Sequence, residues 1–107
     1  MSDPDQVAAL LEDIQEEFDT TGYVGLYGFT WALRGLRLGL SEEQMFATAR
    51  DAYEIFRRRT PTTLVWLAWP PHLEEAVVAA DDVALEFDIN HEGTGSEPFL
   101  ALIPAAV

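Results

Sequence analysis

The chain has 107 residues, 49% of them apolar and 11% aromatic, with 19 acidic side chains against 6 basic ones and a formal net charge of −13. That length and composition suit one domain with a single core, residues 1–107, and exclude a disordered chain, which combines high charge with few aromatics. Cysteine is absent, which excludes disulfides, thiol nucleophiles and cysteine-built zinc or iron–sulfur centres.

Residues 4–18 predict a helix: Val7, Leu10, Leu11, Ile14 and Phe18 fall on one 3.6-period stripe, and Pro4 suits a first-turn position. Glu12, Asp13, Glu16, Glu17 and Asp19 occupy the other face. Their position near the helix C-terminus, where the macrodipole disfavours negative charge, calls for an offsetting cation, and the arginines of the central segment or a basic partner are the candidates.

A second helix is expected over 23–39. Leu26, Phe29, Leu33, Leu36 and Leu40 form an apolar ridge, and Gly25, Gly28, Ala32, Gly35 and Gly39 repeat the same spacing one residue earlier as a small-residue seam. Interior glycines weaken a helix by about 1 kcal/mol each, so a strand or irregular start over 22–29 is the alternative. Gly39 is expected to close the helix. Ser41 and Gln44 then form a capping box that opens a third helix over 42–58, stopped by Thr60-Pro61.

Beyond the proline the period changes. Residues 62–69 are β-branched and aromatic, nearly continuous in apolar character, and read as a strand covered on both faces. Residues 73–82 read as a short helix or turn. Val83, Leu85, Phe87 and Ile89 alternate with Ala84, Glu86 and Asp88 and predict a strand over 83–89, although a helical pattern also fits. Residues 90–98 form a loop, and 99–103 form the last strand. The expected architecture is α+β, a three-helix unit packed on a small, mostly antiparallel sheet.

The charge is partitioned. Residues 1–33 hold seven acids and no base, residues 34–59 hold all six arginines with four acids, and residues 60–107 hold eight acids. Such a field repels nucleic acid and anionic membrane and attracts basic partners. The turn at 39–41 resembles a helix-turn-helix corner, but Glu42 and Glu43 at the start of its second helix would face phosphate, so no nucleic-acid binding is expected. The acidic N-terminus and the interrupted apolar stretch after it lack the pattern of a secretory signal, and no run reaches the roughly 20 apolar residues of a membrane helix. A cytoplasmic location without membrane association is the expectation.

Catalytic and metal motifs fare poorly. Asp88, Asn90 and Glu92, followed by Gly93, resemble the start of a calcium loop, but Phe99 stands where that loop needs its bidentate glutamate. His72 and His91 are the two imidazoles. His91 with Asp88, Glu92 and Ser96 gives a minor hydrolase or metal-enzyme alternative, without a recognisable nucleophile elbow or zinc motif. No cofactor is expected. Arg57, Arg58 and Arg59 either complement the helix dipole or form an anion-docking patch. Trp69, at a strand end, is a candidate aromatic anchor. The leading expectation is a non-enzymatic acidic protein-binding module of immunity-protein, antitoxin or inhibitor type. It would meet a basic partner through Glu12, Asp13, Glu16, Glu17, Asp19, Trp69, Glu74, Glu75, Asp81 and Asp82. A homodimer or accessory subunit built on the glycine seam is the alternative.

Overall fold

Three helices, with one short strand between the first two, pack against one face of a four-stranded antiparallel sheet in the computed structural model, which describes residues 3–68, 72–85, 87 and 98–105. The fold is α+β.

Helix α1 spans Pro4–Thr21. Asp3 caps it, its carboxylate accepting from the Asp5 N–H at 2.8 Å, and Pro4 occupies the first turn, where no N–H is needed. Val7, Leu10, Leu11, Ile14 and Phe18 are its buried residues, the stripe read from the sequence. Gly22, at φ 84°, ends it and donates its N–H to Phe18 O at 2.8 Å, a left-handed conformation that strains any side chain.

The expected helix over 23–39 is shorter and starts later. Val24–Gly25 form strand β1, and helix α2 spans Leu26–Leu36. The tyrosine ring of Tyr27 lies against the Gly25 backbone, in space that a Cβ would fill, so Gly25 serves close approach and not a helical seam. The closing residue also differs: Arg37 takes the left-handed conformation at φ 53°, and Gly39, at φ 71°, lies in the turn beyond it. The capping box is present. Ser41 accepts from the Gln44 N–H at 3.2 Å and Gln44 Oε1 accepts from the Ser41 N–H at 2.9 Å, opening helix α3 over Glu42–Arg59. Phe18 and Phe56 meet edge-on, with centroids 5.3 Å apart, while Asp3 and Gln6 share a depression with Gln44 and Ala47. Helices α1 and α3 therefore run side by side in the same direction.

Strand β2 is Thr62–Leu67, β3 is Val77–Val78 and β4 is Phe99–Pro104, in spatial order β1-β4-β2-β3. Side chains alternate across β2 and β4. Leu64, Trp66, Leu100 and Leu102 join the helical core, and Val65, Leu67, Phe99 and Ala101 join a second cluster with Tyr27. Strand β2 is thus packed on both faces, as its continuous apolar character implied.

The expected strand over 83–89 is not formed by its described members: Val83, Ala84, Leu85 and Phe87 lie outside any strand, and Val77–Val78 takes the place beside β2 instead. The alternation is nonetheless real, because Val83 and Leu85 are half-buried on the helical core, Phe87 is buried and Ala84 is exposed. Phe87 is held by other partners. Its ring lies 6.0 Å from Phe29 and 5.7 Å from Tyr53, both edge-on, and its carbonyl accepts from the buried Thr30 hydroxyl at 2.8 Å. Packing therefore supplied what the period recorded, and a ladder was not needed.

Candidate functional site

The electrostatics start from α1. Glu12, Asp13, Glu16, Glu17 and Asp19 are all exposed, and none forms an ion pair with an arginine among the described residues. Asp19 accepts from the Gln15 side chain at 2.9 Å. The helix therefore presents a line of carboxylates without arginine contacts along its C-terminal half, and Asp19 lies in the last turn, where the dipole opposes negative charge.

The arginines are used unevenly. Arg57 clamps α3 to β2: its guanidinium donates to the Thr62 carbonyl at 3.2 Å, the Thr62 hydroxyl at 3.4 Å and the Tyr53 hydroxyl at 3.3 Å, and lies 5.8 Å from the Tyr53 ring centre. Its role is structural. Arg58 and Arg59 are exposed and line an open groove of about 820 Å³ between α1 and α3. Val7, Leu11, Ile55 and Phe56 make the groove's apolar lining, and Asp5, Glu12, Asp51 and Glu54 add carboxylates. The arginines thus sit across the groove from α1 and offset its acids through the field alone, without contact.

One carboxylate differs from its neighbours. Glu17 reaches toward the first turn of α2, where a Cβ on Gly28 would stand 3.5 Å from its Oε2. Although part of the side chain is in water, burial of the carboxyl end raises its pKa. Burial likewise raises Tyr23, with the negative charge of Glu17 adding to the shift, and pushes Tyr27 up to about 12, with smaller contributions from Tyr23 and Glu17. The three acids form one cluster at the junction of α1, β1 and α2, held in shape by the Thr21 hydroxyl, which lies 2.9 Å from Glu17 O and 2.8 Å from Tyr23 O.

The remaining acids gather elsewhere. Glu74 and Glu75 lie in a short 3₁₀ turn, Leu73–Glu75, before β3, and Asp81 and Asp82 lie in the turn after it; all four are exposed. His72 is exposed beside Glu74 at 4.0 Å. The acids named from the sequence therefore fall into two separate surfaces, the outer face of α1 and the two ends of β3. Trp69, the calcium-like residues Asp88, Asn90 and Glu92, and His91 lie outside the described residues. Among the described residues no group of three or more acids or histidines is placed to hold a metal, and no helix is long and apolar enough to cross a membrane.

Two further apolar features are exposed, of which sequence reasoning missed the second. Trp31 is 49% exposed on α2, with Leu38 exposed beyond the helix end, and Val77 and Val78 are 62% and 70% exposed on β3. Residues 73–82 read as a short helix or turn; the adjacent β-branched pair Val77-Val78 was the available signal for a strand. No family model, curated protein or solved structure matches the chain.

Proposed function

We propose that the protein is a non-enzymatic acidic binding module that engages a basic protein partner, in the manner of an immunity protein, antitoxin or inhibitor. The observation that carries this reading is the exposed carboxylate line of Glu12, Asp13, Glu16 and Asp19, none in contact with an arginine among the described residues, with Glu12 on the rim of the groove between α1 and α3. Carboxylates without internal partners steer a basic surface into contact, and an apolar lining then gives the docked surface something to bury. A carboxylate line of this kind also suits mimicry of a phosphate backbone on a basic site.

The test is a titration of isotope-labelled protein with short oligolysine and oligoarginine peptides at low and moderate salt. Shifts concentrated on residues 12–19, weakening as salt rises, support the reading. Shifts spread evenly over the surface, or none at low salt, overturn it.

A homodimer is the second reading, supported by the exposed pair Trp31 and Leu38 with open space at Gly35 between them. Light scattering at tens of micromolar decides it: a dimer that Trp31→Ala converts to monomer supports this contact, and a strict monomer rules it out.

A further inference from the structure

Among the described residues, strand β3 is the outer strand of the sheet, beside β2 only. Its register pairs Val78 with Val65 and Val77 with Trp66, and the Ala79 N–H donates to Leu64 O at 3.0 Å. In an antiparallel ladder the residues that exchange hydrogen bonds alternate. Ala79 and Val77 therefore turn their backbone groups toward β2, and Val78 turns its N–H and C=O away from the sheet. Ala76 is extended as well, at φ −63° and ψ 138°, and donates its own N–H to Leu73 O, which leaves its carbonyl on the outer side. The two valines stand on opposite faces of this edge, Val78 beside Val65 and Val77 beside Trp66, and no other large apolar side chain among the described residues is as exposed.

Natural sheets blunt such an edge with charge, and here the charge is placed at both ends, Glu74 and Glu75 before the strand and Asp81 and Asp82 after it. The placement discriminates between occupants. Were a second copy to add to the edge in antiparallel fashion centred on Val78, the Glu74–Glu75 turn of each copy would approach the Asp81–Asp82 turn of the other, like charge near like charge. Parallel addition brings the same acids together. A strand carrying lysine or arginine at both ends reverses every one of these contacts.

We propose that the β3 edge accepts an extended basic segment of a protein partner by strand addition, with a β-branched centre packed against Val77 and Val78 and cationic residues meeting Glu74, Glu75, Asp81 and Asp82. It rests on the reading that the partner is basic, and adds to the α1 surface a second docking element, a strand on this edge. The hydrogen bonds at Val78 supply strand register, and the flanking acids set the partner's charge pattern.

The experiment is an NMR titration of the full chain with a capped peptide of alternating valine and lysine, and with the same peptide N-methylated at alternate residues so that it cannot pair. Parallel titrations use Val78→Pro, which removes the outward N–H and leaves the bonds to β2 in place. The expected result is a shift perturbation centred on residues 76–80, slowed amide exchange at Val78, and binding weakened about tenfold or more by either N-methylation or V78P. Binding that maps to α1 and ignores N-methylation overturns the strand proposal while leaving the basic-partner reading intact. No binding by either peptide, at low salt, overturns both. A dimer in light scattering that V78P dissolves shows that the edge takes a second copy instead and overturns the proposal. If V78P does not fold, the N-methylated peptide on the unaltered chain decides alone.

Discussion

At the scale of single residues, Glu17 and Thr30 show how much a partly or fully enclosed polar atom depends on its surroundings. Burial raises the Glu17 pKa, so the folded chain holds that proton more tightly than the unfolded one. The stability linked to it is fully present below the unfolded pKa and is lost as pH rises through the folded value. Glu17→Gln is therefore expected to melt higher than the parent at pH 7, with the difference vanishing below the ordinary carboxylate range; melting curves across pH check it, and an equal melting temperature at pH 7 contradicts it. Thr30 is 1% exposed, and its hydroxyl lies 2.9 Å from Tyr27 O and 2.8 Å from Phe87 O. Thr30→Val keeps the shape and leaves the Phe87 carbonyl unsatisfied, which should cost about 1–3 kcal/mol in denaturant unfolding. Phe87→Ala, which empties the site between Phe29 and Tyr53, should cost about 3–5 kcal/mol.

At the scale of elements, caps and clamps decide where the chain turns. Ser41→Ala removes one half of the capping box and is expected to lower stability by about 1 kcal/mol, measured by chemical denaturation. The start of α1 and both ends of α3 could be read from the residues because each carries its own local signal: Pro4 inside the first, Ser41 and Gln44 at the second, Thr60-Pro61 beyond it; α1 runs past the expected 18 to Thr21 and closes on Gly22. The start of α2 could not. Its seam of glycines at helical spacing gave a period, but the conformation at Gly25 is set by the Tyr27 ring folding back on it, a contact that becomes visible only in three dimensions. The same holds for Phe87, whose alternation with Val83 and Leu85 recorded burial without recording whether a neighbouring strand would be there to pair with. Among candidate site residues, the acids of α1 were readable because a helix face follows from spacing. Arg57 was not, since its role depends on Thr62 and Tyr53 arriving beside it. The exposed valines of β3 were hidden for the opposite reason: an apolar pair is expected inside, and nothing local marks an edge.

At the scale of the whole molecule, a net charge of −13 makes self-repulsion a standing cost to the folded state, carried chiefly by α1 and the ends of β3. Added monovalent salt screens it over about 8–10 Å. Raising sodium chloride from low to physiological strength is therefore expected to raise the melting temperature, and a fall instead would show that attractive pairs dominate. Sheet order has a further consequence. Strands β1 and β2 do not touch; each finds its partner in β4, and β4 is the last of these elements along the chain. A ribosome that has released residues 1–98 has made all three helices and three of the four strands, yet the sheet at that moment can be no more than the short β2–β3 pair. The helices would wait with their apolar faces open until Leu100 and Leu102 arrive. Assembly of the sheet thus waits on β4, and a chain ending at residue 98 should lack the dispersed spectrum of the complete fold.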